Sequence, residues 1–306
     1  MKGTGTQTDP FIIMTADDLY SMEELGGEGI YCRLGADIEL NGTPYAENFV
    51  PIPVNWSSLD GNDYKIRNIF VSDPTNYVHA FRVMTAGTIR ISGLMLENVV
   101  LCGTVVNLFT ADSGITADIK LYDCALVLKV SHLTGSVISG ENCILHGSGL
   151  TVSSELSVVA LSAVMNRGYT LFNGGTIRRT QIVIDVTVHD AGASSIPETS
   201  IFRNVNVSDS WITGSVYCDV SGTGHIYNMA DYYCSFSNFY QAVAMKGIDY
   251  VYWNNTFSSV CFYDTDLMAG AVYDSRETIS RLFYGLTTEQ CKDPDYLASI
   301  GFICAG

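Results

Sequence analysis

The side chains in this 306-residue chain best suited to chemistry are its carboxylates. Enzymes that cleave sugars gather two or three carboxylates on one face, or set a basic residue beside a calcium site, so that protons can be delivered and removed at the glycosidic bond. Asp112, Asp118 and Asp123 fall near turns, where adjacent coils of chain could bring them together. Asp264 and Asp266 stand two apart and share a face if extended. Asp17 and Asp18 lie in the first turn of a short helix, where the helix dipole accounts for them, and turn propensity accounts for the other five. Arg178 and Arg179 follow Gly174 and Gly175, a place to meet an acidic sugar or simply a solvated turn.

Other chemistries find less support. Nucleophile-elbow, phosphate-loop and dinucleotide fingerprints are absent. His79, His132, His146, His189 and His225 are scattered without ligand spacing. The nine cysteines (32, 102, 124, 143, 218, 234, 261, 291 and 304) are odd in number, and several replace apolar residues inside strand-like runs. They read as buried thiols rather than a disulfide framework. No catalytic residue, cofactor or metal ligand is assigned. The chain reads as a non-enzyme, with a polysaccharide lyase or glycoside hydrolase as the enzymatic alternative.

Aromatic residues are more informative than the carboxylates. After residue 226 apolar positions become aromatic, and Tyr227, Tyr232, Tyr233, Tyr240, Tyr250, Tyr252 and Trp253 form the candidate surface for glycan or subunit contact. Tyr and Trp stack on sugar rings and dominate protein interfaces; stacking inside a core is the competing reading. Ala191 to Pro197 reads as a protruding loop, a second place for recognition.

The elements that must position these residues follow from composition and repeats. Apolar residues make up 47% and charged residues 16%, with many Val, Ile, Thr, Tyr and Gly, which favours an ordered all-β chain. A net charge of −16 argues against a nucleic-acid partner and against docking on anionic lipid. No apolar run approaches membrane-spanning length, and Met1 to Thr6 lacks the apolar core of a signal peptide, so membrane insertion and Sec export are not expected.

One motif recurs: Glu97-Asn98-Val99-Val100-Leu101-Cys102-Gly103-Thr104, then Glu141-Asn142-Cys143-Ile144-Leu145-His146-Gly147-Ser148, and more loosely Asp209-Ser210-Trp211-Ile212-Thr213-Gly214-Ser215. A polar Asn or Asp, a short apolar run and a Gly describe one turn of a stacked coil of strands. Intervals of roughly 20 to 30 residues suit a three-sided parallel coil. Asn98, Asp123 and Asn142 are then expected at a shared corner as a hydrogen-bonded ladder. A β-sandwich is the runner-up. Tyr64 to Val71 reads as an uninterrupted period-2 strand, and residues 44–55, with Pro44, Pro51 and Pro53, as a loop or edge.

Both ends carry cap signals. Thr15 is an N-cap for a short helix whose Leu19 and Met22 share a face, ended by Gly26-Gly27. Near the end, Thr287 or Thr288 starts a turn and Asp293-Pro294 opens a helix bearing Tyr296, Leu297 and Ile300.

The opening, Gly3-Thr4-Gly5-Thr6-Gln7-Thr8-Asp9-Pro10-Phe11-Ile12-Ile13 with Thr15-Ala16-Asp17-Asp18-Leu19, resembles that of right-handed parallel β-helix (pectate-lyase-like) proteins of phage virions and bacterial surfaces. Leu59-Asp60-Gly61-Asn62-Asp63-Tyr64-Lys65-Ile66-Arg67-Asn68 is similar to the turn before their regular coils. Leu286-Thr287-Thr288-Glu289-Gln290 with Lys292-Asp293-Pro294 resembles the closing segment of GLUG-repeat relatives, although the Gly-rich repeat itself is missing. Gly222-Thr223-Gly224-His225 echoes one part of the polygalacturonase set, which is not assembled here. The resemblance implies a coil used for display or adhesion.

The expectation is therefore a single-stranded right-handed parallel β-helix with short helical caps: residues 1–28 an N-terminal strand and capping helix, 29–285 the coil, and 286–306 a C-terminal cap or partner-contact segment. The expected function is that of a structural or adhesive virion protein, such as a tail-fibre, receptor-binding or capsid-decorating subunit. It would be a homotrimer, partnered by other virion proteins and a cell-surface glycan. A bacterial surface adhesin is the other non-enzymatic alternative.

Overall fold

The computed structural model describes residues 1–132, 150–166, 170–189, 199–219, 227–231, 234–246, 250–252, 256–257, 261–267 and 283–300. The second repeat copy with Asn142, the 191–197 loop, Gly222 to His225 and the segment after Ile300 lie outside them. The chain divides into two compact units, the bulk of the first being Met1–Thr134 and of the second Leu161–Gly306.

In the first unit β1 (Phe11–Ile13) leads into α1 (Ala16–Tyr20) and α2 (Met22–Leu25). Then come β2 (Tyr31–Leu34), β3 (Ile38–Glu39), α3 (Pro44–Glu47), β4 (Ile52–Val54), β5 (Ser58–Asp60) and β6 (Lys65–Arg67). The longer strands β7 (Phe70–Val83), β8 (Gly87–Ser92), β9 (Met95–Ala111) and β10 (Ala117–His132) follow, and β11 (Leu150–Asn166) lies beyond them. The described strands of this unit pair with one another in parallel, with a single antiparallel bridge from Lys2 to Ile12. One face stacks β1, β2, β5, β8 and β10. A second stacks β3, β6, β9 and the far half of β10, and a third stacks β4, β7 and the far half of β9. This is the all-β parallel coil that the sequence predicts.

Stacking sets the core. Cys32, Leu59, Ile91 and Leu121 occupy one inward ladder and are all buried. Ile38, Ile66, Leu96 and Leu126 form the next, likewise buried. On the third face Phe81 stacks over Phe109 with ring centroids 5.0 Å apart.

Corners are built by residues in the left-handed region, which Asn and Asp enter more readily than other side chains. Asn68 and Asn98 have φ of 59° and 55°, and Asn98 Nδ2 donates to Asn68 Oδ1 across successive turns. Asn68 in turn donates to Glu39 at 2.6 Å. Asp123, with φ 52°, is also a corner residue, but β10 pairs Tyr122 with Ser92, which sets Asp123 beside Gly93 rather than on the Asn68–Asn98 column. The expected common corner is thus two corners. Asn68 also divides the stretch read as one strand into β6 and β7.

The recurring glycine has a steric reason. Five residues beyond corner Asn98, a Cβ on Gly103 would lie 2.9 Å from the Val78 methyls. Five beyond corner Asp209, a Cβ on Gly214 would lie 1.8 Å from the Ile184 carbonyl oxygen, at a φ of +120°.

The N-terminal helices close the end of the first unit. Thr15 accepts from the Asp18 amide at 3.1 Å, while Asp18 accepts from the Met14 amide at 3.0 Å. Leu19 and Met22 are fully buried. The helix is broken at Ser21 into α1 and α2, and Gly26 caps the second piece. Residues 44–55, read as a loop or edge, hold α3 and the edge strand β4, whose Pro53 needs no ladder partner for a missing N–H. Tyr20 stacks face to face on Tyr45 at 3.7 Å and donates to the Val50 carbonyl.

The second unit contains β12 (Thr170–Asn173), β13 (Thr176–Arg178), β14 (Gln181–His189), β15 (Thr199–Arg203), β16 (Asn206–Asp219), β17 (Tyr227–Asp231) and β18 (Ser235–Lys246). β19 (Tyr250–Tyr252), β20 (Thr256–Phe257), β21 (Cys261–Asp264) and β22 (Phe283–Leu286) precede α4 (Thr288–Lys292) and α5 (Pro294–Ser299). Its registers are again parallel: β13 and β14 on β16, β16 on β18, and β18 on β20 and β21. A separate ladder runs β12, β15, β17, β19. Asp209 and Asn238 take left-handed φ of 50° and 47°, and Asn238 donates to Asp209 at 3.0 Å. The step between turns is 30 residues from Gln181 to Trp211 but 22 from Tyr240 to Phe262.

Candidate functional site

Asp112 and Asp118 are each tied to a basic side chain, while Asp264 and Asp266 meet at Thr288. Arg82 grips Asp112 through two hydrogen bonds of 2.8 and 2.9 Å and reaches Glu23 at 3.1 Å, and these acids hold its guanidinium charge firmly. Asp118 pairs with Lys120 at 3.4 Å. Asp123 sits exposed at its corner, separated from Asp118 by five residues of strand, about 16 Å if extended. That exceeds the roughly 5 to 9.5 Å that paired carboxylates need for glycoside hydrolysis.

Asp264 is 1% exposed and works as a turn and cap. It accepts from the Asp266 and Leu267 amides at 3.0 and 3.3 Å and from the Thr288 hydroxyl at 2.8 Å. Asp266 accepts from the Thr288 amide. Asp17 accepts from the Tyr45 hydroxyl. Arg178 lies 3.9 Å from Asp209 across one turn, while Arg179, with φ 48°, is a corner residue.

The aromatic flank divides. Tyr227 begins β17, where it pairs with Thr199, while Tyr250 and Tyr252 on β19 pair with Asn228 and Ala230. Tyr232, Tyr233 and Trp253 lie outside the described residues. Tyr240 is half-buried and stacks on Phe262 with centroids 4.4 Å apart. Burial pushes its phenol well above the ordinary range, and Cys291 and Asp264 beside it push the same way. Phe236, Phe239 and Phe262 are buried, as the core-stacking reading holds for those positions. The C-terminal helices lie over this column: Phe262, Leu286 and Leu297 form a cluster against which Tyr240, Cys291, Tyr296 and Ile300 pack. One turn earlier in the same register, Trp211 stays 38% exposed.

Two depressions in the first unit border polar clusters among the described residues. The larger, about 600 Å³, includes Asn41, Glu47, Phe49, Phe70 and the Asn68–Asn98 corner. Phe49 holds a left-handed φ of 54° with its ring 5.5 Å from that of Phe70. Hydrogen bonds from Asn68 and then from the Asn41 amide, with the Arg67 charge behind them, keep the nearby Glu39 carboxyl below its usual value against the opposing effect of burial. The other, about 540 Å³, opens on the first face and is lined by Gln7, Tyr31, Arg33, Asp60, Thr88 and Arg90, among others. There Arg33 pairs with Asp60 at 2.8 Å, and the Arg90 guanidinium lies 4.3 Å from the centroid of the Tyr122 ring.

None of Arg33, Asp60, Arg90 and Tyr122 stands out in the sequence, because their residue types are common and they lie on four separate strands. The register alone aligns them: Arg33 beside Asp60, Asp60 beside Ser92 and Ser92 beside Tyr122, with Arg90 two residues before Ser92 on the same strand.

No family model matches the chain. No curated protein matches it either. Among solved structures, the chain is similar to a candidate immunoglobulin A1 protease from Bacteroides ovatus, at 16% identity over 85% of this chain and 86% of that one, with a TM-score of 0.31. A likeness this distant carries no argument about activity, and the parallel coil stands on the strand registers themselves.

Proposed function

We propose that this chain is a non-enzymatic structural or adhesive virion protein, a tail-fibre, receptor-binding or capsid-decorating subunit that presents β-coil flanks to a host glycan or to neighbouring subunits. The observation that carries the non-enzymatic part is the use of the carboxylates. Asp112, Asp118 and Asp264 are each engaged in ion pairs or turns that hold their own strands. The virion setting rests on the resemblance of the opening and closing segments to phage and bacterial-surface coils. An exposed Trp211 and the polar depressions of the first unit supply surface for contact. Partners are other virion proteins and a cell-surface glycan, and the working assembly is a homotrimer.

Two measurements test this. Sedimentation at micromolar concentration is expected to give three times the mass of the chain, and the purified protein is expected to bind host cells or particles. A monomer without such binding overturns the proposal. Incubation with acidic and neutral glycans is expected to release no reducing ends; release abolished by Asp118→Asn would establish the depolymerase alternative instead.

A further inference from the structure

We infer that the first face of the N-terminal unit holds a binding site for a carboxylate-bearing saccharide, centred on Arg90. The inference deepens the adhesive reading and rests on it for its biological setting.

Four arginines are described in this unit, and three of them meet acids. Arg33 pairs with Asp60, Arg67 with Asp37 and Glu97, and Arg82 with Asp112 and Glu23. Arg90 has no carboxylate partner among the described residues and lies instead against the Tyr122 ring. In a chain with 32 acidic and 16 basic side chains, acids are abundant, so a guanidinium without one in a cleft is a local feature of that cleft. The Arg90 guanidinium gives no hydrogen bond to another described residue, so its N–H edge is available to a ligand. That edge is the fork that takes a carboxylate through two parallel hydrogen bonds.

The surroundings fit a sugar acid. Asp60 is neutralised by Arg33, and the adjoining Asp118 by Lys120, so the cleft carries a net charge of about one positive on a strongly negative chain. Around Arg90 stand Ser58, Thr88 and Ser92, whose hydroxyls take no protein hydrogen bond among the described residues and match the hydroxyls of a saccharide. Tyr31, in the row of Ser58 and Arg90, adds an aromatic surface. A volume of about 540 Å³ suits one or two sugar rings, within the range of small-ligand sites. The Asp60 carboxylate beside Arg33 disfavours a doubly charged phosphate. Among the described lining residues only Pro10, Tyr31 and Cys32 are apolar or aromatic, which leaves little to anchor an apolar peptide side chain.

The test is a calorimetric titration of the full chain with a uronic-acid trisaccharide, its methyl ester and an acidic tripeptide of equal charge. The free acid is expected to bind, with the ester at least about tenfold weaker, as follows from losing a charge-assisted hydrogen-bond pair. Arg90→Gln is expected to lose a similar factor, while Lys129→Gln, an exposed lysine on β10 outside the cleft, leaves affinity unchanged. Equal binding of acid and ester, insensitivity to Arg90→Gln, tighter binding of the peptide, or no binding of the acid each overturns the site. Should Arg90→Gln fail to fold by circular dichroism, the acid-to-ester ratio on the unaltered chain decides alone. A chain that binds the acid through Arg90 yet attaches to no cell or particle keeps this site and overturns the adhesive role. Attachment without acid binding does the reverse.

Discussion

Asn98 bends a strand, and few side chains could replace it. A left-handed backbone costs an ordinary L-residue roughly 1–2 kcal/mol, and Asn98 also donates to Asn68 one turn back. Asn98→Ala is therefore expected to lower stability by about 1–2 kcal/mol, read as a reduced urea midpoint at unchanged m-value. Asn98→Gly, which relieves the backbone but not the lost bond, should cost less. Gly214→Ala is expected to be worse than either, because the added carbon would meet the Ile184 carbonyl at 1.8 Å. His79 adds a pH dependence. Burial, and then the Arg82 charge, hold its imidazole below the ordinary value, with Asp112 opposing them more weakly, and its Nε2 is buried without a hydrogen-bond partner. A base depressed in the folded state takes up its proton more readily when unfolded. Its contribution is thus complete above the unfolded value near 6.5 and lost as pH falls through the folded value. Thermal midpoints should fall between about pH 7 and 5, and His79→Gln should flatten that slope.

Elements at the two ends were the most legible part of the sequence, because capping is local. Thr287 and Gln290 form a reciprocal capping box, and Asp293 accepts from the amides of Asp295 and Tyr296 ahead of a Pro at the first helical position. All of it lies within a few residues. Corners were half legible. Any corner that needs a left-handed residue recruits Asn or Asp, so residue type cannot say which corner a residue occupies. Asn98 and Asp123 consequently looked equivalent until the register separated them. The Arg90 cleft was not legible at all, since its residues meet only through pairing between strands about thirty residues apart. The caps make a prediction at their own scale. Leu19 is fully buried beneath α1, and Leu19→Asp should lift that helix from the coil end, freeing strand edges that recruit other chains. Light scattering is expected to show self-association that grows with concentration. Leu297→Ala on α5 removes a cap residue buried against Phe262 and Leu286 and should cost about 2–4 kcal/mol, with faster amide exchange in β21 and β22.

For the whole molecule, the balance of burial and charge predicts an inert interior under an acidic surface. Burial pushes the thiols of Cys32 and Cys261 up to about 12 and that of Cys124 up to about 11, so at pH 8 they are protonated as well as enclosed. A disulfide reagent is expected to label these three slowly in the native protein and within minutes in urea, with mass spectrometry of the peptides assigning each site.

Between residues 65 and 112 of the N-terminal unit, one layer of the stack takes thirty residues of chain. Asn68 and Asn98 lie thirty residues apart, as do Arg82 and Asp112, and Lys65 is aligned with Met95. Duplicating residues 65–94 would therefore insert one whole layer, about 4.8 Å thick, carrying its own corner and its own inward ladder. Steps of other lengths, such as the 27 residues from Cys32 to Leu59 and the 32 from Leu59 to Ile91, keep the same ladder because the difference falls between the paired strands. The N-terminal unit can therefore grow one layer at a time, each new layer templated by the strands on either side of it.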